Sequence, residues 1–264
     1  MSKPNLENVL AVSVGNSNTR FAVFQESSGA DPVMIDAVPT GDAKGAADRI
    51  ARAAGTLPEG GSGVMIASVN EPFAEELLHE LISRLDHEYF KFGRDLEVPM
   101  PHTLGERSTV GQDRLLAALA AFDTVKQACV VVDAGTAVTV DFVDGTGVFQ
   151  GGVIAPGARM QLEALHRGTA ALPEVKYERP EDAPFTTKTD QAMLQGVHHG
   201  IRGLVRTMVE RYSESYGAFP LVIATGGDAE RLFGDDEFVN RVVPDLVLRG
   251  INVARRMFLD EEDE

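Results

Sequence analysis

Two segments of this chain carry one pattern. VLAVSVGNSNTRFAVF, residues 9–24, reads as a strand, a small polar turn and a return strand, and CVVVDAGTAVTVDFV, residues 129–143, reads the same way. In each, a glycine stands two residues after the last polar position of the first strand: Gly15 after Ser13, Gly135 after Asp133. The two glycines lie 120 residues apart. Apolar runs bounded by turn residues read as buried strands, and a two-stranded hairpin is not stable by itself. The recurrence predicts two related α/β domains, each presenting a strand-turn-strand to one cleft. The plainer reading of the same residues is two ordinary hairpins with glycine turns.

The intervening sequence supplies what such domains need. GVMIASVN, 63–70, is a further strand, and EPFAEELLHELISRL, 71–85, follows with helical spacing of its apolar residues. FGRDLEVPMPHTLGERSTVG, 92–111, is rich in Pro and Gly and reads as a long loop, with a strong helix over 113–128 after it. Beyond the second hairpin, GGVIAPGARM, 151–160, is a strand whose Pro-Gly turn opens a helix through Leu172. A long helix is expected from Thr189 to Ser215, a strand, Gly-Gly turn and helix over 220–233, and a closing helix over 245–259. The expected division is residues 1–118 and 119–264, with the boundary near 115–130.

Charge and composition narrow the partners. The net charge of −16 argues against a general nucleic-acid binder, since phosphate contacts need a basic face. Part of that charge is LDEEDE, 259–264, read as a solvated end. An acidic chain can still hold a nucleotide when magnesium and backbone dipoles supply the positive field. No apolar run approaches the length of a membrane span, and MSKPNLENVL lacks the apolar core of a signal peptide. Cys129 is the single cysteine, so no intrachain disulfide or multi-cysteine zinc site forms. A cytoplasmic protein is expected. His198 and His199 are adjacent and would diverge on a helix, a poor metal pair.

Six motifs run in order along the chain: VGNSNTRFAVF at 14–24, VGQDRLLAALAA at 110–121, VVDAGTAVTVDF at 131–142, GGVIAPGARM at 151–160, TDQAMLQG at 189–196 and ATGGDA at 224–229. In this order they resemble the type III pantothenate kinases of the sugar kinase, Hsp70 and actin superfamily. The resemblance implies two ribonuclease-H-like (actin-like ATPase) domains, a homodimer, and ATP with magnesium and a monovalent cation, potassium or ammonium. It implies transfer of phosphate from ATP to pantothenate, the first step towards coenzyme A.

Phosphoryl transfer requires held phosphates, neutralised charge and an aligned acceptor hydroxyl. By resemblance, Ser13, Val14, Gly15, Asn16, Ser17, Asn18, Thr19 and Arg20 form the ATP phosphate segment, where small residues offer N–H groups and hydroxyls; otherwise this is a polar hairpin. Gly111, Gln112, Asp113 and Arg114 would bind substrate, with Asp113 accepting the hydroxyl proton. Otherwise Asp113 is a helix N-cap and Arg114 a helix-surface arginine. The resemblance makes Asp133 a ligand of the monovalent cation and Thr136 an ATP contact; Asp133 alone also suits an Asx turn. Thr189 would hydrogen-bond substrate, though by itself it reads as an N-cap. Thr225, Gly226 and Gly227 match the nucleotide-side turn of the second domain, or form a simple strand-to-helix turn.

Two positions depart from the family pattern. Ser13 stands where the family has the Asp of Asp-x-Gly-Asn, which organises magnesium; serine offers a neutral oxygen that ligates but does not neutralise. Leu104 occupies the position of a substrate-contacting tyrosine, and the adjoining GERST also differs from the family. The leading expectation is an active pantothenate kinase. The alternatives are a non-catalytic relative that binds ATP or pantothenate, and a kinase for another small hydroxyl compound.

Overall fold

The computed structural model describes residues 6–58, 61–105 and 110–260. The chain groups into two compact units. One comprises Met1–Pro101, Gly105–Thr124 and Leu246–Glu264, and the other His102–Leu104 and Val125–Asp245.

The first unit is built on a five-stranded sheet in the order β3-β2-β1-β4-β5. Its strands are β1 (Asn8–Val14), β2 (Asn18–Phe24), β3 (Met34–Pro39), β4 (Ser62–Ser68) and β5 (Glu88–Lys91). β1 is central because its residues 9–12 are apolar and wholly buried, the pattern of a strand covered on both faces. It runs antiparallel to β2 and parallel to β4. On one face Leu10, Val12, Val14, Phe21 and Val23 pack with α1 (Ala43–Ala54) and α2 (Glu71–Ile82). Both helices have side-chain N-caps, Asp42 accepting from Gly45 N at 3.0 Å and Asn70 from Phe73 N at 3.3 Å.

Also in this unit are α3 (Gln112–Val125) and the closing helix α7 (Leu246–Asp260), which packs on β1, β2 and β4. Gly250 permits a backbone approach that a side chain would block, since a Cβ there would lie 2.1 Å from the Leu116 carbonyl oxygen of α3. Arg255 of α7 is 2% exposed and donates to the carbonyls of Leu6, at 2.9 Å, and Glu7. Residues 119–124 and α7 thus group with the first sheet.

The second unit repeats the plan. β6 (Cys129–Ala134), β7 (Ala137–Val143), β8 (Phe149–Pro156), β9 (Leu221–Thr225) and β10 (Arg241–Val242) form a sheet of order β10-β9-β6-β7-β8. Read from its other edge, the order is that of the first sheet: third, second, first, fourth and fifth strand. β6 is antiparallel to β7 and parallel to β9, as β1 is to β2 and β4. The recurrence of the two hairpins is therefore a recurrence of architecture.

One face of this sheet is covered by α4 (Ala158–Gly168), the 28-residue α5 (Thr189–Tyr216) and α6 (Ala229–Phe233). Helix α4 stops short of Leu172. Thr169 ends it, its hydroxyl donating to the Leu165 carbonyl at 2.8 Å and accepting from Leu172 N at 3.3 Å. α5 ends at Gly217, in the left-handed region at φ 82°, a conformation glycine adopts without steric cost. No described helix is long and apolar enough to cross a membrane.

Candidate active site

The β1–β2 connection is shorter than the polar run suggests, because Asn18, Thr19 and Arg20 belong to β2. The last pair is Val14 with Thr19, and four residues, Gly15 to Asn18, connect them, the last of these opening β2. Gly15 N donates to the Asn18 carbonyl at 3.0 Å, and a Cβ on Gly15 would lie 2.8 Å from that same oxygen. The turn is tied to the end of β3: Thr40 N donates to Ser17 O and Thr40 Oγ1 to Gly15 O, each at 3.0 Å. Thr19 is fully buried, and its hydroxyl lies 3.0 Å from Thr40 Oγ1. The Thr40 proton is directed at Gly15 O, so Thr19 is the donor of that pair. The Thr19 hydroxyl therefore points into the protein, while its backbone stays part of the strand that leaves the turn. Ser13, half-buried, lies opposite Arg20 on β2 and Ala67 on β4.

Gly111 to Arg114 lie close to this turn. Val69 N donates to the Val14 carbonyl at 3.0 Å, and a Cβ on Gly111 would stand 3.6 Å from Val69 Cγ1. Asp113 and the Gly15 turn thus share the carboxyl end of the parallel pair β1 and β4, where open α/β sheets commonly hold ligands. The same Cβ would come 2.4 Å from Asp113 Oδ1, so glycine at 111 leaves room for the carboxylate. Asp113 is the second residue of α3, inside the first turn and not at the cap. Its Oδ1 accepts from Arg114 N at 2.8 Å, a position where the helix dipole favours a negative charge. Gln112 packs against Gly93, a left-handed residue at φ 81°.

In the second unit Asp133 holds the place that Ser13 holds in the first. It pairs with Thr139 on β7 and Thr225 on β9. The β6–β7 turn is one residue tighter, three residues between Ala134 and Val138, closed by Gly135 N donating to Ala137 O at 2.9 Å. Two glycines press against it. Gly157 N donates to Thr136 O at 3.0 Å, and a Cβ there would meet Gly135 O at 2.2 Å. Gly226 has φ 98°, and its Cβ would lie 2.4 Å from both Asp133 Oδ1 and Ala134 O. Asp133, Thr136, Thr225 and Gly226 are therefore one cluster. Gly227 is exposed, with open space where its Cβ would be. Asp228, half-buried, donates its N–H to Ala134 O at 2.9 Å, and burial holds its carboxyl above the usual range. Thr40, Gly157 and Asp228 were not anticipated; each acts through contacts between distant segments, which periodicity does not encode.

Two further predicted residues of this unit lie on other elements. Thr189 is exposed as the first residue of α5, after a cap position occupied by Lys188. Leu104 lies beside Gly151 of β8, where Thr103 N donates to Phe149 O at 3.1 Å. Of the adjoining GERST, residues 106–109 lie outside the described residues. A cavity of about 660 Å³ between α4 and α5, lined by Met160, Leu165, Met193 and Gly196 among others, contains none of the predicted residues. Cys129 is buried in β6, its thiol pushed up to about 12, and is chemically quiet. His198 is likewise internal: Arg202 faces its Nε2 at 3.3 Å, so Nδ1 carries the proton and donates to Tyr177 Oη at 3.0 Å. Among the described residues no group of three or more His, Cys, Asp or Glu is arranged to hold a metal ion.

Comparison with known proteins bears on this arrangement. The family model for type III pantothenate kinase matches residues 9–211. A type III pantothenate kinase of Rhodospirillum rubrum is 35% identical over 257 residues, spanning 94% of this chain and 98% of the relative. Among solved structures, the activator of the 2-hydroxyisocaproyl-CoA dehydratase from Clostridium difficile, with bound ADPNP, superposes with a TM-score of 0.54 at 13% identity, over 97% of this chain and 96% of its own. MreB 5 of Spiroplasma citri, bound to AMPPNP, gives 0.50 at 11% identity, over 98% and 99%. These two speak to the fold, which is the actin-like ATPase and sugar kinase fold.

Proposed function

The chain belongs to the type III pantothenate kinase family, and on that premise we propose that it transfers the γ-phosphoryl group of ATP to the 4′-hydroxyl of pantothenate, yielding ADP and 4′-phosphopantothenate for coenzyme A synthesis. The observation that supports this reading is that Asp113 lies against Gly111, which neighbours Val69 at the carboxyl end of β1 and β4. A carboxylate there accepts the hydroxyl proton as the oxygen attacks phosphorus. The Gly15–Asn18 turn receives the phosphates through backbone dipoles. Arg114 offers a forked donor to the substrate carboxylate, and Thr189 a hydroxyl. Thr136 and the Thr225–Gly227 turn approach the nucleotide.

The donor set at Asp133 suits a monovalent cation: one carboxylate with the Ala134 carbonyl nearby, where a Cβ on Gly226 would intrude on both. Bound there, such a cation offsets phosphate charge. Magnesium takes much of its hold from the nucleotide phosphates, and Ser13 adds a neutral oxygen. A cytoplasmic homodimer completes the proposal.

The test is release of ADP on addition of pantothenate, with and without potassium, for the wild type and Asp113→Asn. The wild type should turn over and the variant should lose about 10²–10⁴-fold in kcat with little change in ATP affinity. A wild type that binds ATP without turnover would identify the non-catalytic relative. Turnover only with other acceptors would identify a different substrate.

A further inference from the structure

We propose that Thr40 is a positioning residue for ATP, holding the β1–β2 turn in the conformation that receives the phosphates; this rests on the assignment of that turn under Proposed function. Thr40 belongs to AVPTGD, 37–42, where β3 ends at Pro39 and Asp42 caps α1. It carries no charge, and nothing in its local sequence marks it.

Its contacts are specific. The N–H of Thr40 extends the β2–β3 ladder one step by donating to Ser17 O. Its hydroxyl donates to Gly15 O and accepts from Thr19. Gly15 N occupies a third carbonyl of the turn, Asn18 O. Three carbonyl oxygens, of Gly15, Ser17 and Asn18, are thus committed to protein donors. A carbonyl oxygen is the negative end of the peptide dipole and repels a phosphate. Fixing these oxygens on internal donors fixes the direction of the peptide units, and so of the dipoles that a phosphate meets. Two of the three bonds come from Thr40. A residue 25 positions from Gly15 therefore determines whether this turn is preorganised or must be ordered by the ligand.

Thr40→Val preserves shape and removes the hydroxyl, leaving Gly15 O without its donor and Thr19 without its acceptor. The expected result is a rise of about tenfold in KM for ATP, with matching loss of affinity for a non-hydrolysable ATP analogue by calorimetry, equivalent to about 1.4 kcal/mol. The KM for pantothenate should stay within about twofold, and Thr40→Ser, which restores the hydroxyl, should recover ATP affinity. Thr19→Val, read the same way, serves if Thr40→Val does not fold. Gly15→Ala is the companion variant, since its methyl must displace the turn. If Gly15→Ala weakens ATP binding while folded Thr40→Val and Thr19→Val bind it as the wild type does, the positioning role is refuted, whatever happens to thermal stability. If Gly15→Ala also leaves ATP binding unchanged, the turn is not the phosphate site, and both the assignment and the inference fall.

Discussion

Gly226 and Gly227 are adjacent and look interchangeable in sequence, yet alanine at each should have different consequences. At 226 the backbone sits at φ 98°, outside the regions an L-residue favours, which costs about 1–3 kcal/mol. The new methyl would also be placed 2.4 Å from the Ala134 carbonyl oxygen and 2.4 Å from Asp133 Oδ1. The first of these is backbone in the middle strand of the second sheet and yields little. Overpacking of this kind adds about 1–3 kcal/mol. Gly226→Ala should therefore destabilise the second unit by about 2–6 kcal/mol, a fall of roughly 5–20 °C in Tm. It should also displace Asp133 and blunt the potassium response. Gly227→Ala meets open space at an ordinary φ, so its Tm should stay within about 1 °C. If ATP lies against this turn, Gly227→Ala should instead raise KM for ATP. The assay pairs thermal unfolding with ATP and potassium titrations on both variants. A Gly226→Ala protein as stable as the wild type, with an unchanged potassium curve, would refute the close approach argued for this turn.

Three further outcomes are expected. Ser13→Asp should lower the magnesium concentration for half-maximal rate by about tenfold, because a charge-assisted contact replaces a neutral one; superimposable magnesium titrations would remove position 13 from the metal's surroundings. Asp133→Ala should flatten the dependence of rate on potassium, and a rate that still climbs as in the wild type would place the cation elsewhere. Burial and the neighbouring Arg202 lower His198 from 6.5 to about 4, so the folded protein binds fewer protons there than the unfolded chain between those values. Its contribution is complete above pH 6.5 and is lost as pH falls towards 4, by up to about 3 kcal/mol. Urea unfolding at stepped pH should show that slope in the wild type and a shallower one in His198→Gln; equal slopes would assign the acid sensitivity to other groups.

The elements that sequence reading captured are those whose signals are local. The two hairpins are legible because VLAVSV and CVVVDA are apolar runs with a single polar residue, each followed by glycine, and α5 because its periodicity is long. The third and fifth strands and α1 carry weaker local signals: Met34–Pro39 and Glu88–Lys91 are short edge strands of mixed polarity, and the buried face of α1 is made of alanines around the single Ile50. Asp113 could be placed at a helix start, but its nearness to the Gly15 turn depends on Val69 and Gly111, which meet only in the folded unit. The same holds for Gly226 against Asp133, a contact across parallel strands some 90 residues apart. The internal hydrogen bond of Thr19 is likewise invisible in sequence, since its partner Thr40 is 21 residues away.

The return of α7 to the first sheet has a consequence for the order in which the protein is made. During synthesis the strands β1 to β5 precede the second unit, yet the helix that covers β1, β2 and β4 follows it. The second unit ends at Asp245, so its residues are all available before α7 exists. A nascent chain therefore completes its later half before its earlier one, against the usual amino-to-carboxyl sequence of domain folding. Until Arg255 arrives, the carbonyls of Leu6 and Glu7 lack the donor that holds them in the finished fold. A ribosome that stalls or terminates before residue 246 would release a finished second unit joined to an uncovered first sheet, a species marked for chaperone capture or proteolysis.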